Sequence, residues 1–173
     1  MTSRLRPVQP GKTTLVAALG RALAADGVSV VAVEADAAAS RFAEMFSLTR
    51  GAGLRDHPAE RCPDRLPART LLRADPTSPL RLIVGADAPG ADADGRTERW
   101  RALIVELRQE FDVTLIDGAG AIGAPDARLI ASLSDATVIV ARRGSTSAAA
   151  IRAVAHELGA VSAHVTGVVV NRV

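Results

Sequence analysis

The sequence is short of several residue types, and each shortage narrows what the chain can do. Its 173 residues include no tyrosine, one cysteine (Cys62), one lysine (Lys12) and four aromatic residues in all. A single cysteine excludes an intrachain disulfide. So few aromatic rings argue against a base-stacking platform for single-stranded nucleic acid, and we expect no nucleic-acid partner. No apolar run approaches the ~18 residues that a transmembrane helix needs.

What is present is typical of one globular domain. Hydrophobic residues make up 48% of the chain and charged residues 23%, which is enough apolar material for one sizeable core. The first ten residues, MTSRLRPVQP, lack the apolar stretch of a secretory signal. We therefore predict one domain over residues 1–173 and a cytoplasmic location.

Hydrophobic periodicity predicts alternating helices and strands. The predicted helices cover residues 12–26, 38–46 (a weak pattern), 96–110, 125–133 and 145–158. The predicted strands cover residues 28–34, 80–86, 113–117, 136–141 and 164–171. Residues 48–79 indicate an irregular stretch with room for one short helix, and residues 87–95 a turn-rich loop. Apolar strands that alternate with helices favour an α/β fold in three layers, with a mostly parallel sheet covered on both faces.

The one lysine lies in the motif PGKTT, the back half of a phosphate-binding loop. Amide groups at a helix N-terminus, beginning after Gly11, would point at an anion. The amine of Lys12 would reach the β- and γ-phosphates, and the hydroxyl of Thr13 would bind Mg²⁺. Thr14 would hydrogen-bond the α-phosphate. The alternative is a proline-led helix start with an exposed lysine.

The front half of that motif departs from the phosphate-loop pattern. Arg6 stands where the pattern requires glycine, and residues 7–10 contain two prolines and no glycine. Glycines in such loops allow close backbone approach and positive φ, and proline removes an amide donor. Residues 1–5 are also too polar for a buried central strand. We predict a P-loop NTPase-type fold whose first strand is missing or distorted.

Polar residues follow several predicted strands at their carboxyl ends, where open α/β sheets bind ligands. Glu34 and Asp36 follow the first of these strands, where a carboxylate would orient a nucleophile or a metal-bound water. Asp117 follows the residues VTLI at the end of the predicted strand 113–117, where an acid would organise Mg²⁺. Asn171 ends the last strand, where its carboxamide would pair with adenine. The alternatives are solvated acids, a helix cap for Asp36 and a turn residue for Asn171.

Three blocks together resemble a known family. GKTTLVAALGRALAADGVSVVAVEAD, FDVTLIDGAGAIGAPDARLIASLSDATVIVARRGST and VTGVVVNRV are similar, in order and spacing, to the cytoplasmic domain of bacterial tyrosine autokinases. That family belongs to the MinD/ParA-like P-loop ATPases and acts in capsular and exopolysaccharide production. The resemblance implies ATP and Mg²⁺ as cofactors. It also implies catalytic or binding roles for the residues singled out above: Gly11, Lys12, Thr13, Thr14, Glu34, Asp36, Asp117 and Asn171.

The chain departs from the family in ways that leave three functions open. Glu34 replaces the first aspartate of an Asp-x-Asp motif, and the family's own substrate tyrosines have no counterpart here. The first hypothesis is a tyrosine-kinase-like phosphoryl transferase, recruited by a membrane adaptor of polysaccharide synthesis to the inner face of the cell membrane and able to form homo-oligomers. The second is a MinD/ParA-like ATPase in which water is the acceptor and which acts as a dimerising switch. The third is a non-catalytic remnant, truncated at both ends, with impaired nucleotide binding.

Overall fold

The computed structural model describes residues 11–35, 41–48, 68–85, 93–118, 120 and 125–172. The helices in these ranges are α1 (Lys12–Ala25), α2 (Arg41–Met45), α3 (Ala68–Leu71), α4 (Ala93–Glu110), α5 (Pro125–Leu133) and α6 (Ala148–Gly159). The strands are β1 (Val30–Glu34), β2 (Leu72–Ala74), β3 (Arg81–Ile83), β4 (Val113–Asp117), β5 (Thr137–Arg142) and β6 (Val165–Asn171). No helix in these ranges is long and apolar enough to span a membrane.

The strands form two sheets. The larger has the order β2-β3-β1-β4, in which β1 pairs in parallel with both β3 and β4, and β2 runs antiparallel to β3. The smaller sheet is the parallel pair β5-β6. The predicted α/β fold with a mostly parallel sheet is confirmed. Within the described ranges no strand joins β4 to β5, and residues 1–5, the predicted place of the first strand, lie outside those ranges.

Strand β1 is the centre of the larger sheet, and its side chains point alternately into two apolar layers. Val31 and Val33 pack with α4 and α5, whereas Val30 and Ala32 pack with α1 and α2. All five residues of β1 are buried, so the strand is covered on both faces. This three-layer arrangement fixes the carboxyl end of β1, and of its neighbour β4, at one edge of the sheet.

Helix α1 packs closely on the sheet because one of its buried positions is a glycine. A Cβ placed on Gly20 would lie 3.0 Å from a methyl carbon of Leu80 and 3.5 Å from one of Leu115. A larger residue would require the Leu80 side chain to shift. The glycine therefore allows α1 to lie close to the strands at this point.

Several elements differ from the sequence prediction, among them β2, α4 and α6. Strand β2 lies in the stretch predicted as irregular; it has three residues, all at least partly exposed, so no apolar alternation marks it. Helix α4 begins at Ala93 rather than residue 96. Helix α6 begins at Ala148 rather than residue 145, because the side chain of Ser147 accepts the Ala150 amide and caps the helix.

Candidate functional site

The first turn of α1 has the features of an anion site. Gly11 adopts φ 79°, a left-handed conformation, and has no side chain with which to cap the helix. Its carbonyl accepts the Leu15 amide at 3.0 Å, so the helix begins directly after it. The first turn contains no acidic residue. The positive end of the helix dipole and the amides of this turn, which have no acceptor within the helix, therefore face no carboxylate from the same turn.

A buried hydrogen bond joins this turn to the end of β4. The hydroxyl of Thr13 donates to a carboxylate oxygen of Asp117 at 2.6 Å. Thr13 is 6% exposed and Asp117 4% exposed. The two residues are 104 positions apart in sequence. The fold thus brings together two residues that the sequence assigned separately to Mg²⁺ binding.

The chemistry of this pair fits a magnesium ion. Mg²⁺ prefers oxygen ligands, is commonly bound by one or two carboxylates together with substrate phosphates, and keeps several waters. A threonine hydroxyl and an aspartate carboxylate beside a phosphate-binding turn supply that donor set. In the described part of the chain, no group of three or more His, Cys, Asp or Glu residues could hold a metal without such help.

Glu34 has a different environment from that expected of a nucleophile-orienting acid. Its side chain is buried, and the residue is 1% exposed. One carboxylate oxygen accepts the Phe42 amide at 2.8 Å, and the other accepts the Gly85 amide at 3.1 Å. The carboxylate therefore ties the start of α2 and the end of β3 to β1. Its register partner is Asp117, so it lies beside the site, and its catalytic role stays a prediction.

The remaining predicted site residues differ in where they lie in the fold. Lys12 is half-buried and Thr14 is exposed, both in the first turn of α1. Asn171 ends β6, and its side chain lies against Gly11. Asp36 lies outside the described residues, as does the front half of the phosphate loop, residues 6–10. The fold therefore gathers Gly11, Thr13, Asp117 and Asn171 around one helix start.

The sequence reading missed a buried ionic cluster farther along α1. Arg21 donates from Nε and a terminal nitrogen to Asp75 at 2.7 and 3.0 Å, and Ser78 and Thr77 also donate to that carboxylate. Burial alone would raise the pKa of Asp75, but these hydrogen bonds outweigh it and hold the pKa well below its usual range. Arg21 also lies over the ring of Phe46. The sequence DPTSP, residues 75–79, is typical of a turn and could have indicated that Asp75 accepts local hydrogen bonds.

The cluster stands apart from the helix start. Arg21 follows Lys12 by nine positions on α1, which is roughly 13 Å along a helix. The carboxylate of Asp75 is fully engaged in holding α1 to the turn between β2 and β3. We therefore interpret this cluster as structural, since perturbed pKa values also arise in structural ion pairs.

Solved structures share this fold. The kinase domain of the Escherichia coli tyrosine kinase ETK superposes with a TM-score of 0.84 at 19% identity, over 95% of this chain and 64% of that one. The cell division protein MinD of Aquifex aeolicus gives 0.71 at 24% identity, over 95% and 65%. The Mycobacterium smegmatis cobyrinic acid a,c-diamide synthase, solved with ADP and magnesium bound, gives 0.71 at 17% identity, over 97% and 71%.

These structures establish the fold, and a sequence profile establishes the family. The chain spans about two thirds of the length of the kinase domain and of MinD. No curated protein sequence matches the chain. The profile of the CobQ/CobB/MinD/ParA nucleotide-binding domain matches residues 10–173, nearly the whole sequence. This chain therefore belongs to the CobQ/CobB/MinD/ParA family of nucleotide-binding domains.

Proposed function

We propose that the chain binds Mg·ATP at the start of α1 and transfers the γ-phosphoryl group. The observation that carries this proposal is the buried Thr13–Asp117 hydrogen bond of 2.6 Å beneath a left-handed glycine. Inside a protein, a threonine hydroxyl can form hydrogen bonds with many kinds of partner. Its pairing with a strand-end aspartate, at a helix start that contains the chain's single lysine, matches the way in which P-loop phosphoryl-transfer enzymes hold Mg²⁺.

Each residue has a definite task in this proposal. The amides after Gly11 and the ammonium group of Lys12 bind the phosphates and neutralise charge that develops on them. Thr13 supplies a hydroxyl ligand for Mg²⁺, and Asp117 orients the ion's ligand shell through hydrogen bonds. When bound, a magnesium ion would offset negative charge on the phosphates. Asn171 stands near enough to the turn to contact the nucleotide.

The acceptor of the phosphoryl group lies outside the 173 residues. These residues contain no tyrosine, so a tyrosine acceptor cannot be one of them. We propose a tyrosine-kinase-like transfer to a tyrosine of a partner protein, in exopolysaccharide production at the inner face of the membrane. The fold shared with the ETK kinase domain supports this choice.

A second candidate is an ATPase switch with water as the acceptor. Glu34 favours it over a full kinase, because both of its carboxylate oxygens accept backbone amides and leave less freedom to orient a tyrosine hydroxyl. The fold is also shared with MinD. Homo-oligomer formation is compatible with either candidate.

Calorimetric titration with Mg·ATP tests binding. We expect Lys12→Ala to weaken binding at least tenfold, which corresponds to about 1.4 kcal/mol. Arg152→Ala is the matched control, since it removes one positive charge from an exposed position on α6. Thr13→Val should abolish the Mg²⁺ dependence of binding, and Thr13→Ser should retain it. Wild-type protein that binds no Mg·ATP would overturn the proposal in favour of a remnant.

Product analysis separates the two active candidates. Phosphate release without a protein acceptor, lost in Asp117→Asn, would identify the ATPase switch. Transfer of labelled phosphate to a tyrosine-containing peptide, with little release in its absence, would identify the kinase. The same Asp117→Asn variant must lose either activity, because both need the Mg²⁺-organising carboxylate.

A further inference from the structure

Asn171 occupies the space beside Gly11 in which a side chain would otherwise lie. A Cβ placed on Gly11 would overlap Nδ2 of Asn171 and would lie 3.4 Å from its Cγ. Gly11 must therefore be glycine for two reasons, its φ of 79° and this contact. The carboxamide packs directly on the backbone that begins α1.

Strand β5 holds the backbone that carries this carboxamide. Asn171 pairs with Arg142 in the β5-β6 register, and its main-chain carbonyl accepts the Arg143 amide at 2.8 Å. The side chain therefore extends from the end of a paired strand. The contact joins the smaller sheet to the helix start that the larger sheet supports through Asp117.

We infer that Asn171 is a positioning residue of the phosphate site, which holds Gly11 in its left-handed conformation. The inference rests on the proposed function. It differs from the predicted pairing with adenine, since a group that only recognises the base has no effect on phosphates that lack one. Gly11 has many accessible conformations, so a rigid neighbour that restricts it pre-organises the amides that follow.

The decisive comparison uses two ligands, Mg·ATP and Mg·tripolyphosphate, the second of which has no base. Asn171→Ala should weaken both by roughly tenfold in calorimetric titration, the range expected when pre-organisation is lost. Asn171→Asp keeps the size of the side chain but brings negative charge to the anion site. Asn171→Asp should weaken the binding of tripolyphosphate more than Asn171→Ala does, and added salt should reduce the difference in affinity between the two variants.

Val169→Ala is the matched control, because Val169 lies two residues earlier on the same face of β6 and is 37% exposed. It should leave the affinity for both ligands unchanged. A second measurement needs no ligand: the Gly11 Cα chemical shift in labelled protein should move in Asn171→Ala and stay in place in Val169→Ala.

The outcomes separate the two proposals. Wild-type protein that binds neither ligand would overturn the proposed function, and this inference with it. If Asn171→Ala weakens ATP alone and the Gly11 shift does not move, Asn171 acts on the base and the inference is wrong. Parallel losses with both ligands, together with a moved Gly11 shift and an unaffected Val169→Ala, would support it.

Discussion

Two valine-rich strands of similar sequence have opposite environments in this molecule. Strand β1 reads VVAVE and strand β6 reads VTGVVVN. Every residue of β1 is buried, whereas no residue of β6 is. Val31 is 0% exposed and Val170 is 59% exposed. Composition alone would have predicted the same burial for both.

The difference comes from neighbours. β1 pairs with a strand on each side and has helices on both faces, while β6 pairs with β5 alone among the described strands. Among the described residues, Val165 at one end of β6 packs against a small apolar cluster that includes Ile139 of β5 and Val154 of α6. Topology, rather than residue type, decides how much each valine contributes to stability.

The residues that end these strands differ in the same way. Glu34 at the end of β1 is buried and bonded to two backbone amides, so we assign it mainly to the fold. Asn171 at the end of β6 is half-buried and touches the helix start, so we assign it to the site. We therefore expect a mutation of Glu34, in the larger sheet, to lower the stability of the protein more than a mutation of Asn171 does.

The largest loss is expected from Glu34→Ala. It leaves the amides of Phe42 and Gly85 without their acceptor in a buried place, and each such loss costs about 1–3 kcal/mol. We expect the free energy of unfolding to fall by about 3 kcal/mol in urea denaturation. Asn171→Ala is the comparison, with an expected loss below about 0.5 kcal/mol. Equal losses would contradict the division of roles.

A smaller loss is expected when a valine is truncated in the core. Val31→Ala removes two methyl groups from a fully buried position and should cost about 2 kcal/mol, counting transfer and cavity terms. Val170→Ala makes the same change at a 59% exposed position and should cost less than about 0.5 kcal/mol. If the two urea midpoints shift equally, β6 has a buried partner that is not among the described elements.

Asp75→Asn tests the ionic cluster that holds α1 to the larger sheet. The pKa of Asp75 is lowered in the folded state, so its stabilising effect is present above about pH 4, the ordinary value. It is lost as the pH falls from there toward the folded-state pKa. We expect Asp75→Asn to cost about 1 kcal/mol at pH 7 and the difference from wild type to shrink below pH 4. A difference independent of pH would contradict the assignment.

The positions of two candidate site residues in the fold could be predicted from the sequence better than their surroundings could. Thr13 and Asp117 could be placed at a helix start and at a strand end from local sequence patterns, and their roles stay predictions. The two amides that bind Glu34 could not, since they come from α2 and from the end of β3. The low burial of β6 could not be predicted from the sequence either, because the same valine-rich pattern occurs in a central strand and in a strand with one partner.

The smallest effect is expected at the ion pair that links the two sheets. Arg108 on α4 reaches Asp135, just before β5, at 2.6 Å, and the two side chains are 48% and 85% exposed. Exposed pairs of this kind contribute about 0–1 kcal/mol, because solvent screens the charges and ordering two side chains costs entropy. Arg108→Ala should therefore lower the free energy of unfolding by less than about 0.5 kcal/mol, and 0.5 M salt should reduce even that difference.

Arg108 also lines a cavity of about 200 Å³ with Thr114 and Ile116 of β4. A loss several times larger, insensitive to salt, would mean that its side chain stabilises the junction between the sheets by packing rather than by charge.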